Sequence, residues 1–275
     1  LLGLFVGNWK VGIMALAASI IALLLAKRTN YSQEEINTGL AGFNPVLTAI
    51  ALTLFLVPEW YSILIAFIAI VITMPIGSAF REFFKPFGVP MLTMPYVFVS
   101  WVILLMSFQF KFVNADVNIL PDIVQEIQFS GHSIHFINAF LSGFSEIFLL
   151  KSILAGISIL IGIFIASRKA GVFAMIANVI GFAAVIVLGA NHDQINDGLF
   201  GYNVILTVLA LGINFNTKIS RYISIILGIL LTVILHASMT TLLTPFGLPV
   251  FTLPFIIATW IMLFAGNQRE EKWQR

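Results

Sequence analysis

Glu146 stands in Gly143-Phe144-Ser145-Glu146-Ile147, a carboxylate inside an otherwise apolar run. A charge buried among apolar residues of a membrane segment costs about 2.5–3.5 kcal/mol on insertion scales, so it reads first as an acceptor for donors on a passing solute. The plainer alternative is a structural carboxylate held by a partner. Two further patterns each occur twice. Gly39-Leu40-Ala41-Gly42-Phe43-Asn44-Pro45-Val46-Leu47-Thr48 lies over Gly198-Leu199-Phe200-Gly201-Tyr202-Asn203-Val204-Ile205-Leu206-Thr207 at an offset of 159 residues. The same offset lays Pro86-Phe87-Gly88-Val89-Pro90-Met91-Leu92-Thr93-Met94-Pro95-Tyr96 over Pro245-Phe246-Gly247-Leu248-Pro249-Val250-Phe251-Thr252-Leu253-Pro254-Phe255, and Trp101 over Trp260. Repeat-related breaks of this kind mark a site at the interface of the two copies. Each residue also has a plainer use: Phe43 and Tyr202 as ordinary packing in a chain with 26 Phe, Thr93 and Thr252 as hydroxyls satisfying helix carbonyls, the prolines as kinks.

Catalysis has no residues to carry it. No HExxH, Walker loop or nucleophile elbow occurs, and cysteine is absent, which removes disulfides and thiolate metal sites. His192 falls over Gln33 and His236 over Gly77, while His132 and His135 lie together in a polar stretch. Without a matched pair, the histidines read as surface or loop residues rather than as a proton relay.

The elements that must position these residues follow from composition. With 60% apolar and 9% charged residues and a mean hydropathy of +1.04, the chain cannot coat a soluble globule. The 14 Lys and Arg sit in short loops rather than in a stripe, which argues against nucleic-acid binding. Apolar stretches at roughly 11–26, 36–56, 60–80, 88–110, 149–166, 170–190, 198–216, 222–243 and 248–266 predict about nine spans. Residues 136–148 are apolar but too short to cross, as expected of a re-entrant element. The polar stretch near 111–135, with Asp116, Asp122 and Glu126, divides the chain into a first repeat (1–110) and a second (136–275).

Basic residues Lys27, Arg28, Arg81, Lys85, Arg168, Lys169, Lys218, Arg221 and the tail fall on one side if each stretch crosses once, and that side should be cytoplasmic. The two halves then run in opposite directions. The fold class expected is an all-α polytopic membrane protein of two inverted homologous halves with re-entrant half-helices and a pore between them. The register also sets Leu1 over Leu160, so the first half is expected to lack its opening re-entrant segment.

The doubled signatures GLxG[FY]NxxLT and PFGxPxxTxP[FY] resemble the urea transporter family, bacterial type, over essentially the whole chain. The resemblance implies facilitative transport of urea, with no enzyme activity and no cofactor. It assigns the slot to Phe43, Leu47, Tyr202 and Leu206, the waist to Thr93 and Thr252, and the end of a re-entrant half-helix to Glu146 and the apolar wall residue Ile147. It further implies a homotrimer with one pore per subunit, here a multi-pass protein of the cell inner membrane. Urea's two amides and one carbonyl need partners once stripped of water, at about 2–7 kcal/mol per polar group, which a carboxylate and exposed backbone carbonyls can supply. The competing expectation is an ammonium-type or proton-coupled small-solute transporter using Glu146 as a cation site.

Overall fold

Runs rich in Ala, Leu, Ile and Val give this chain four long helices among the described residues, one of which continues through an interior proline, Pro75. They are α2 (Trp9–Ala26), α5 (Trp60–Phe84), α9 (Arg168–Val187) and α12 (Arg221–Leu243). The computed structural model describes residues 1–29, 31–116, 133–215 and 219–266. At 1.5 Å per residue each of the four is long enough to cross a hydrocarbon layer of about 30 Å, or nearly so. Only a third of each span is buried, and what it exposes is apolar: Ile13, Ile20, Leu23 and Leu24 on α2, Ile63, Leu64, Ile68 and Val71 on α5. An outer surface of this kind is satisfied by lipid and not by water. The inner face of α2 is small, with Ala15, Ala18, Ala22 and Ala26 fully buried, and this lets it lie close against α4 (Leu40–Phe55). The chain is an all-α polytopic membrane protein.

Four stretches that hydropathy predicts as full spans are shorter helices. The stretch 36–56 is split between α3 (Gln33–Asn37) and α4 by Gly39, whose φ of +76° is a left-handed conformation that glycine adopts without strain. Gly198, with φ of +75°, separates α10 (His192–Asn196) from α11 (Gly201–Leu209) in the same way, and α11 runs on into a π-helical turn, Ala210–Asn214. In the stretches 88–110 and 248–266, only α6 (Met94–Ser107) and α13 (Leu253–Gly266) are helical. Short 3-10 turns end at Gly88 and Gly247, and Leu92 and Phe251 both take positive φ, 52° and 50°. The helices then restart with Pro95 and Pro254 in their first turns, where a missing N–H costs nothing.

Residues 136–148 form α7 (Phe136–Ser145) and a 3-10 turn, Glu146–Phe148. Leu149 then takes φ of 58°, and α8 (Ile153–Ala166) leaves at 73° to α7, the bend of a re-entrant hairpin or a broken span. A single extended residue joins α8 to α9: Ser167, φ −161°, caps Ala170 N–H. Asn8, φ −159°, does the same between α1 (Leu2–Gly7) and α2, capping Lys10 and Val11. Of the polar stretch, residues 114–116 pair with 55–57, through Val57 N–H to Asn114 O and Asp116 N–H to Phe55 O, each at 2.9 Å. Asp122, Glu126 and His132 lie outside the described residues.

Buried hydrogen bonds recur at the sequence offset. Thr48 meets Thr73 at 3.1 Å and Thr207 meets Thr232 at 2.9 Å. Trp101 Nε1 donates to Pro249 O at 2.8 Å, and Trp260 Nε1 donates to Pro90 O at 2.8 Å, so each tryptophan reaches a carbonyl of the opposite half.

Candidate functional site

Asn44 on α4 and Asn203 on α11 organise the centre. The Asn44 amide nitrogen donates to Leu92 O at 3.2 Å while its oxygen accepts Tyr96 N–H at 3.2 Å. Asn203 repeats both contacts, to Phe251 O at 3.1 Å and from Phe255 N–H at 3.3 Å. Each asparagine thus satisfies a carbonyl freed by the left-handed residue and an orphan N–H of the helix that follows. Between those two anchor points lies the threonine. Thr93 and Thr252 face each other, hydroxyl to hydroxyl at 2.7 Å, and both are buried. Two residues 159 apart in sequence, one from each copy of the doubled motif, therefore meet.

A cavity of about 400 Å³ leads to this pair, with Phe43, Leu92, Thr93 and Leu206 on its walls, together with Leu209, Phe255 and the π-turn residues Ala210 and Asn214. Arg81 and Glu35 stand among its lining residues as an ion pair at 3.1 Å, and the guanidinium lies 4.2 Å over the ring of Tyr31. The Tyr31 hydroxyl, in the loop before α3, is pushed above its usual range by burial, with Arg81 opposing.

Of the residues expected from the sequence, Phe43, Thr93 and Leu206 line one cavity and Thr252 closes on Thr93. Leu47 is 1% exposed in the core cluster against which Phe43 and Leu206 pack. Leu206 also packs against the second cluster, which holds Ile147 and Tyr202, so it joins the two groups. Tyr202 and Phe43 are not equivalent. The Tyr202 hydroxyl donates to Phe251 O at 2.5 Å, and Phe43 has no hydroxyl to offer Leu92 O.

Glu146 sits in the turn that ends α7, only 4% exposed, and its Oε1 has no hydrogen-bond partner among the described residues. A carboxylate at a helix C-terminus faces the negative end of the dipole, so capping does not account for it. The structural reading weighed for Glu146 in the sequence finds no partner for that oxygen.

Two contributors were not legible as site residues. The asparagines stand in the doubled motif, but their partners lie about fifty residues away and only the fold brings them together. His236, expected at a surface or in a loop, is 6% exposed in the middle of α12. Its Nδ1 lies 3.1 Å from the Asn203 amide nitrogen, and its ring centroid is 4.8 Å from Phe200. The amide has two hydrogens for two acceptors, Phe251 O and His236 Nδ1, which puts the imidazole proton on Nε2. The reason for the misreading is compensation between the halves: at the matching position, Gly77, a side chain would collide with the Tyr31 hydroxyl, which fills that space instead.

The family model described as "Urea transporter" matches residues 1–267. The chain belongs to the urea transporter family. Among curated proteins it is similar to "Urea transporter 1" of Ovis aries, 25% identical over 269 residues, covering 96% of this chain and 70% of that one. "Urea transporter 1" of Capra hircus is 24% identical with the same coverage. The Rattus norvegicus protein of that name is 24% identical over 274 residues, covering 98% of this chain and 71% of its own length. In this transporter the cavity and the threonine pair lie where the doubled motifs meet, and Glu146 is not among the residues that line that cavity.

Proposed function

We propose that the transporter conducts urea passively, through a slot at the junction of its two halves that passes between Phe43, Leu47, Tyr202 and Leu206 and over Thr93 and Thr252. The halves are inverted repeats, 1–110 and 136–275, joined by the linker 111–135. The observation that carries the reading is the Glu146 Oε1, buried and without a donor among the described residues. It needs N–H groups, and urea brings four in one plane. Ile147 forms the apolar wall beside it, while the aromatics press the flat faces of the solute. Thr93 and Thr252 give up their mutual hydrogen bond to a passing molecule and re-form it afterwards, so the waist is polar only while occupied. Each chain carries its own pathway within a homotrimer in the cell inner membrane, with the Arg168 region and the C-terminal tail on the cytoplasmic side.

The test is a pair of substitutions at Glu146, compared at matched amounts of assembled protein in proteoliposomes. Glu146→Gln keeps one carbonyl acceptor and retains part of the urea flux. Glu146→Leu removes every acceptor. A hydrogen bond to a charged group is worth about 1.5–3 kcal/mol, so flux through the leucine variant falls by about tenfold or more. Wild-type flux in the leucine variant removes Glu146 from the pathway.

A further inference from the structure

The two halves fill one equivalent space differently. In the second half, Phe173 of α9 and Ile225 of α12 close over Gly212, where an added Cβ would stand 2.8 Å from the phenyl ring and 3.2 Å from the isoleucine. The register places Met14, Ala66 and Thr53 at the corresponding positions of the first half. These smaller or more flexible side chains leave a cavity of about 310 Å³ between α2, α4 and α5. Its floor is apolar and buried, made by Leu52, Leu56 and Ala66. The Ser62 hydroxyl also lines it, 5% exposed and without a hydrogen-bond partner among the described residues. At the rim are Trp9 and Lys10, the ammonium 5.9 Å over the indole, and Lys10 is the one charged residue in the lining. Trp60 lies tilted against Tyr61 nearby at 3.7 Å between ring centroids, and Trp9 and Trp60 are more than half exposed, the pattern of a membrane–water boundary.

We infer that this cavity is a binding site for one anionic phospholipid of the surrounding bilayer. The lining offers the chemistry of the lipid itself: one cation, one free hydroxyl and an apolar surface. The phosphate lies on the Lys10 ammonium, a glycerol ester carbonyl accepts the Ser62 hydroxyl, and the upper part of one acyl chain rests on Leu52, Leu56 and Ala66. The outer surface is apolar, so a lipid chain reaches the opening without crossing water. Lipid occupancy replaces in the first half the packing that Phe173 and Ile225 provide in the second.

The test uses the full chain in phosphatidylcholine nanodiscs doped with phosphatidylglycerol, with lipids retained per chain counted by native mass spectrometry. Wild type retains one phosphatidylglycerol in preference to phosphatidylcholine. Met14→Phe with Ala66→Ile, which imports the residues of the second half, loses that molecule while melting cooperatively and transporting urea as before. Lys10→Gln, an exposed change that disturbs no packing, lowers the preference for phosphatidylglycerol by about fivefold, the effect of one basic residue at a lipid surface. Retention unchanged in the filled variant, equal retention of the two lipids by wild type, or an unaltered preference in Lys10→Gln each overturns the assignment. If the filled variant fails to fold, the Lys10→Gln comparison decides alone.

Discussion

Phe43 and Tyr202 occupy matching places, yet the hydroxyl that only the tyrosine carries changes the chemistry of the carbonyl beneath it. Phe251 O accepts from both Tyr202 and Asn203, whereas the hydrogen bond from Asn44 leaves Leu92 O, on the wall of the cavity, with capacity for a second donor. A urea N–H is such a donor. Phe43→Tyr should copy the second half, spend that capacity internally, and lower urea flux about fivefold, the worth of roughly one hydrogen bond. Flux equal to wild type by stopped-flow light scattering would take Leu92 O off the path. The reverse change, Tyr202→Phe, returns an acceptor to Phe251 O and should lower thermal stability by about 1 kcal/mol with little loss of flux. Full loss of flux in that variant would mean that the hydroxyl itself touches the solute.

Element breaks carry as much of the design as the helices do. Gly39 and Gly198 share the left-handed backbone that ends α3 and α10, but their surroundings differ: nothing lies within 4 Å of a Cβ placed at Gly39, whereas one at Gly198 collides with the backbone of Ser142 and Gly143 in α7. Gly39→Ala should therefore cost only the conformational penalty, about 1–2 kcal/mol. Gly198→Ala adds a backbone collision and should cost about 4 kcal/mol or more, unseating α7 and with it Glu146. Melting temperatures of the two purified variants measure the difference, and equal losses would contradict the close seating of α7 on Gly198. Such breaks are where reading the sequence fell short. A hydropathy average over 36–56 passes straight through Gly39, because it registers burial and not φ. The local signal was nonetheless there: Ser32 and Glu35 form a capping box that starts α3. In the same way the runs 88–110 and 248–266 are apolar throughout, but each is helical only from Met94 and from Leu253 onward, after a turn in which Leu92 and Phe251 take positive φ. That Thr93 and Thr252 belong together was legible because repetition marked both at once, while His236 has no repeat partner and its hydrogen bond depends on Asn203.

The exposed apolar flanks of α2, α5, α9 and α12 require a bilayer, and the proposed orientation within it rests on the loop charges. Ser32, beside the Arg81–Glu35 pair, should face the cytoplasm, and Ser133, just before α7, should face outward. In intact cells a cysteine at position 32 should be protected from an impermeant maleimide and one at position 133 should react; the opposite pattern reverses the orientation. The central claim is that a neutral solute moves down its own gradient past a carboxylate that exchanges no proton. The most direct test is urea entry into proteoliposomes under a fixed urea gradient, with the pH gradient and the membrane voltage stepped independently. Flux that follows the urea gradient alone is the predicted result, and flux that rises and falls with the proton gradient or the voltage would contradict it.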